Sequence, residues 1–227
     1  MRQTLFTLSL VALSLGTFAQ RSLQSVAWSL STGTSSHIGD MASFDPNAML
    51  QELRPSLQTS LSYFSGPRWG LGCEIGIGSI HADNANHGNN LFDGLSVDSR
   101  YLQTQMRLTY HLSRYGKYWR RNASTPYLFS DVGLLISSST FVDDVPYPLG
   151  VVFHEGTNFS PLLGGGIGWK VRHGEHWSTF IEGGAWSVPG DRLEGFTWEG
   201  EASGVLGPSA DAIVSLRVGL TYAFYTW

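Results

Sequence analysis

The chain has 227 residues, a formal net charge of −4 and only 14% charged residues, beside 27 glycines and 13% aromatics. A domain wholly surrounded by water usually carries about 25% charged residues, so part of this surface is expected to face something else. No long basic run points to nucleic acid, and the single cysteine, Cys73, excludes an internal disulfide.

The first predicted element is a targeting segment. Arg2 gives a basic start, Leu5 to Leu15 a short apolar core, and Thr17-Phe18-Ala19 a small-x-small cleavage site. Residues 1–19 are therefore expected to be a secretory signal peptide, with 20–227 as one exported domain. The apolar run is too short to span a bilayer, and no window of about 18 apolar residues follows it.

Past that point the recurring signal is period two, the mark of a strand with one apolar face. "WGLGCEIGIGSI" shows it most plainly: Trp69, Leu71, Cys73, Ile75 and Ile77 alternate with Gly70, Gly72, Glu74, Gly76 and Gly78. In chain order the predicted strands are 24–33, 54–64, 69–81, 100–112, 127–138, 160–171, 177–188 and 211–225. Each has about the 9–11 residues that a tilted strand needs to cross a membrane.

Tight turns at Ser65-Gly66-Pro67-Arg68 and at 172–176 alternate with long links rich in Gly, Asn, Asp and Pro. Short turns at one end and long loops at the other form the pattern of an outer-membrane barrel. The expected fold is all-β: an eight-stranded antiparallel up-and-down transmembrane β-barrel. Its lumen should be packed and polar, because eight strands leave only enough space for side chains. Its expected location is the bacterial outer membrane, with outer-membrane lipid as its surroundings.

In such a barrel the apolar face looks outward. The opposite face carries Glu74, Arg107, Asp131, Lys170, Glu182 and Arg217, three acids and three bases able to neutralise one another as a lumen ion network. Glycines on that face, among them Gly70, Gly164, Gly168 and Gly219, leave room for long side chains. A filled lumen disfavours a solute channel. The last strand, Arg217 to Phe224, resembles the signal read by the barrel-assembly machinery, an expected partner during biogenesis. Gly219, Tyr222, Phe224 and Trp227 are its marks.

Catalytic chemistry finds little support. His37, His81, His87 and His154 fall in or near the loops, with Asp40, Asp83, Asp143 and Asp144 nearby. No pair has a spacing that fixes a hydrolase or metal geometry, and no nucleophile elbow is present. "GGGIG" at 164–168 is followed by no helix that could cradle a nucleotide. The expectation is a non-enzyme with no cofactor and no metal.

One link breaks the short-turn rule. "SRYGKYWRRNAST", 113–125, gathers Arg114, Lys117, Arg120 and Arg121 around Tyr115, Tyr118 and Trp119. These residue types dominate binding hot spots, which makes the link a candidate partner-binding site. They equally suit a belt at lipid-headgroup level, and both readings stand.

Several stretches together resemble the PorG-like outer-membrane barrels of the type IX secretion system of Bacteroidota. They are Ile38-Gly39-Asp40, Arg54-Pro55, "RWGLGCEIGIGSIHADNA", "RYLQTQMRLTYHL", "TPYLF", "FSPLLGGGIGWKV" and "FIEGG". The chain departs from the pattern at Trp186, where the resemblance implies a basic lumen residue. It further implies a non-enzymatic barrel docking a periplasmic ring of PorK- and PorN-like secretion proteins. The alternative is a general surface barrel, in adhesion or membrane integrity, acting through its four long loops.

Overall fold

A computed structural model describes residues 24–38, 46–83, 95–116, 122–143, 151–153, 156–189, 196–198 and 211–225. The signal segment, His87, His154, Trp227 and residues 117–121 lie outside the described residues. In chain order the elements are β1 (Ser25–Ile38), α1 (Pro46–Gln51), β2 (Arg54–Phe64), β3 (Trp69–Asp83), β4 (Leu95–His111) and β5 (Ser124–Asp143). There follow β6 (Val151–Phe153), β7 (Gly156–Arg172), β8 (Trp177–Val188), β9 (Phe196–Trp198) and β10 (Asp211–Tyr225).

Eight strands close into one antiparallel barrel in the order β1-β10-β8-β7-β5-β4-β3-β2. Closure is made by β1 against β10, from Ser25 opposite Tyr225 to Ile38 opposite Ala212. Two opposed faces follow from the alternation. Ile75, Met106, Val132 and Ile167 point outward and stand 53%, 51%, 58% and 67% exposed. In water such a belt would be an aggregation surface; against acyl chains it is what a closed barrel must present. Aromatic pairs mark the end that carries the short turns: Trp69 with Tyr110 at 4.5 Å and Trp177 with Tyr222 at 5.0 Å between ring centroids.

Inside, glycines and aromatic rings sit directly opposite each other on neighbouring strands. Phe64 faces Gly70, Tyr101 faces Gly78, Tyr127 faces Gly168, Phe129 faces Gly166, Trp186 faces Gly164 and Phe180 faces Gly219. Each ring lies over its glycine. A methyl at Gly164 would stand 2.5 Å from Trp186 Cδ1, and one at Gly166 2.6 Å from Phe129 Cζ. The glycines are thus sockets for rings, a device that keeps a narrow barrel filled.

Two features differ from the sequence reading. The strands are longer than a membrane crossing requires: β4 has 17 residues, β5 has 20 and β7 has 17. β5 also begins earlier at the turn end, at Ser124, but most of the extra length lies at the long-loop end. There both faces can be polar, so the ladder continues after the alternating pattern has faded. The long links also contain structure. α1 follows β1, and β6 pairs with β9 as a separate two-stranded ribbon joining two of the loops.

The lipid belt gives a direct test. Ile75→Lys, within the belt, should lower folding stability in lipid vesicles by roughly 2–4 kcal/mol, and Leu112→Lys, at the turn end, by about 0–1 kcal/mol. Urea titration with heat-modifiable gel mobility as the readout would measure both. Equal effects at the two positions would contradict the belt.

Candidate functional site

The lumen is crossed by one ion cluster built from five strands. Arg107 on β4 is its hub. Its Nε and Nη2 donate to the two oxygens of Asp131, each at 2.8 Å, forming a bidentate fork. Asp131 stands directly opposite Arg107 on β5, so register alone positions this pair. Nη1 of Arg107 donates to Glu182 Oε1 at 3.1 Å and lies 3.0 Å from Glu74 Oε2. Arg217, from β10, donates to Glu74 Oε1 at 3.0 Å and pairs with Glu182, which sits opposite it on β8. The five residues are buried.

Neutral donors and rings complete the cluster. Gln105 donates to Glu74 at 2.6 Å, Tyr127 to Glu182 at 2.7 Å, and the Trp186 indole N–H to Asp131 at 3.0 Å. Phe129 lies 4.1 Å from the Arg107 guanidinium carbon, and Trp186 4.8 Å from that of Arg217. The sequence pattern does not single out Gln105, and it marks Trp186 only as a departure. Trp186, where a base was expected, supplies an N–H to Asp131.

Lys170 does not join. Three carboxylates meet two guanidinium groups, and the third positive charge sits apart, flanked by the rings of Tyr127 and Phe180, each 5.6 Å away. Expected as part of the network, Lys170 makes no ion pair among the described residues. It lines the same small space as Glu74, Arg107 and Glu182, without a nitrogen–oxygen contact short enough for an ion pair. Beside the cluster, a water-sized sphere can place its centre within only about 30 Å³. That admits water and little else.

The 113–125 link is only partly described. Arg114 is exposed. Tyr115 turns back over the barrel mouth: its N–H donates to Pro67 O at 3.1 Å, and its hydroxyl shares a 2.7 Å hydrogen bond with Ser178 Oγ on β8. Burial pushes the Tyr115 phenol up to about 12, so it stays neutral at physiological pH. Arg172 donates to Gly116 O, and Asn122 Nδ2 donates to Arg114 O at 2.9 Å, drawing the two stems of the link together. Lys117, Tyr118, Trp119, Arg120 and Arg121 lie outside the described residues.

At the loop end, His37 lies 3.5 Å from Asp211, both buried, and His81 lies 2.8 Å from Asp98. Among the described residues no group of three His, Cys, Asp or Glu side chains could hold a metal ion. Of the assembly-signal residues, Gly219 seats Phe180, Phe224 is exposed, and Tyr222 packs edge-on against Phe224 at 4.8 Å.

A closed eight-stranded barrel with an apolar outer belt and a charged, filled lumen defines the class: a small barrel of the outer-membrane type. No protein-family model and no curated protein matches the sequence. Solved structures do. Neisserial surface protein A is 11% identical over 88% of this chain and 97% of its own, with a TM-score of 0.51. The attachment invasion locus protein Ail of Yersinia pestis is 10% identical over 89% of this chain and 99% of its own, with a TM-score of 0.49. A major outer membrane protein of Thermus thermophilus is 12% identical over 88% of this chain and 99% of its own, with a TM-score of 0.49. At these identities the likeness is one of fold.

Removing one member of a buried ion pair strands its partners. Arg107→Met should destabilise the barrel by about 3–5 kcal/mol. Trp186→Phe, which deletes one donor to a carboxylate, should lose about 1–3 kcal/mol. Equilibrium unfolding in urea from detergent micelles would rank the two, and the reverse order would displace Arg107 as the hub.

Proposed function

We propose that the chain is a non-enzymatic barrel of the bacterial outer membrane that serves as a docking component of a type IX-like protein secretion apparatus. It would contact periplasmic ring proteins through its turn end. The observation that carries the non-transport part is the Arg107–Arg217–Glu74–Asp131–Glu182 cluster, which fills the lumen at mid-barrel. With the interior filled, the functional surfaces are the two ends. The motif resemblance supports the secretion role, and the composition of the link supports the turn end. Three bases and two aromatics fall within residues 117–121, beyond a neck closed by the Asn122 to Arg114 hydrogen bond.

A second reading has its own observation. The loop end is built up, with strands prolonged past the belt and β6 paired to β9 across two loops. That suits a surface barrel acting in adhesion or membrane integrity. Organised outer loops present a defined surface, whereas loops that merely connect need no such pairing.

The two readings separate experimentally. Reversing charge at Arg120→Glu together with Arg121→Glu should abolish co-purification with periplasmic ring proteins while the barrel stays heat-modifiable. Undiminished recovery would remove the link as the docking site. Shortening the loop by deleting residues 86–92 should leave secretion intact under the docking reading and impair surface attachment under the other. In planar bilayers the unmodified protein should give no stepwise conductance, and stable open steps would overturn the filled lumen.

A further inference from the structure

Lys170 is a buried cation that the ion cluster leaves unused. Only 8% exposed, it offers three N–H donors, and none meets an acceptor among the described residues. Phe64, Tyr127 and Phe180 surround it with centroids 5.9, 5.6 and 5.6 Å away. That is the outer limit of a cation–π contact, about 6 Å, and a ring face accepts no directional hydrogen bond of normal strength. No lumen carboxylate comes within ion-pair distance of it, although Glu182 attracts it at longer range. Both oxygens of Glu74, of Asp131 and of Glu182 already receive donors from Arg107, Arg217, Gln105, Trp186 or Tyr127.

Lys170 lines a recess at the turn end, together with Tyr115, Ser178 and Thr221. A water-sized sphere can place its centre within about 40 Å³ there, which suits one small polar group rather than a drug-sized ligand. Tyr115 and Ser178, both lining it, share a 2.7 Å hydroxyl hydrogen bond, and Thr221, which also lines it, bonds at 2.9 Å to Ser29 outside it. Each pair uses one O–H for its own bond, so each keeps one O–H to donate elsewhere. A buried ammonium and the spare hydroxyl donor of the Tyr115–Ser178 pair therefore meet at one small opening.

We propose that this recess binds a single oxyanion group, a carboxylate or a phosphate, seated on the Lys170 ammonium and on the hydroxyls bordering it. Tyr115 forms its roof, held by Ser178 on one side and by the Pro67 carbonyl on the other. The site is independent of the docking role: it lies inside the mouth, whereas docking would use the link beyond it.

Lys117 and Lys170 are the chain's two lysines, so 13C-lysine labelling gives two side-chain signals from the folded wild-type protein in non-ionic micelles. Sodium phosphate and sodium acetate are titrated separately, with sodium chloride holding ionic strength constant. The Lys170 signal should shift saturably, with a Kd on the order of 1 mM, while Lys117 does not saturate. Saturating anion should also slow acetylation of Lys170 by about tenfold, read by mass spectrometry, relative to Lys117. Saturation with phosphate alone, acetate alone or both supports the site and names its ligand class. A non-saturating shift, the same response to chloride, or no protection from acetylation overturns it.

Discussion

Arg107 sits where three carboxylates converge inside a barrel whose outer wall is built for hydrocarbon, and most of the architecture answers to that meeting. Each of those charges alone would cost several kcal/mol to bury. Together they persist because one guanidinium fork takes Asp131 squarely, shares Glu182 and Glu74 with Arg217, and leaves no carboxylate oxygen without a donor. The members come from β3, β4, β5, β8 and β10, so the cluster ties together strands far apart in sequence. It also specifies register. A slip of one residue on any of these strands would turn its charge outward into lipid, a far larger penalty than a poorly filled core.

The glycine sockets are the geometric counterpart of that electrostatic constraint. Eight strands enclose a tube too narrow for a bulky residue at every inward position. Setting Phe64, Tyr101, Tyr127, Phe129, Phe180 and Trp186 each opposite a glycine lets rings lie flat on the neighbouring backbone. The rings then work in two ways. Phe129 and Trp186 pack against the guanidinium groups, and Tyr127 and Trp186 donate to the carboxylates. Apolar filling and polar satisfaction are thus carried by the same side chains, which is why the lumen can be both charged and packed.

Much of this is legible in the sequence because period-two alternation is a local property. Trp69 to Ile77 shows its two faces without any knowledge of neighbours, and the inward charges of β3, β4, β5, β8 and β10 fall out of the same count. What fails to show depends on pairing. Gln105 looks like any polar lumen residue until β4 is set beside β3 and its amide meets Glu74. Trp186 looks like a lost base until β8 is registered against β7 and the indole proves to lie over Gly164 and reach Asp131. Lys170 looks like a third partner because its face is right, but its height along the barrel places it among rings instead. The prolonged loop-end strands and the β6–β9 ribbon escape for a different reason. Beyond the lipid no face has to be apolar, so pairing there leaves no alternation to read.

The interior is devoted to cohesion, and the two rims around it are built differently. At the loop end the chain adds length, prolonging β4, β5 and β7 and pairing β6 with β9. At the turn end it adds fastening instead. Tyr115 is bonded to Pro67 and Ser178, Gly116 receives Arg172, and Asn122 closes on Arg114. Fastening the stems lowers the conformational freedom that Tyr115, Gly116 and Asn122 would otherwise lose on meeting a partner. It also commits Tyr115 to the barrel mouth, so any hot spot in this link must be drawn from Arg114 and residues 117–121. A turn like Ser65–Arg68 would have sufficed to join two strands, whereas this link is longer, rich in Arg, Tyr and Trp, and fastened at both stems.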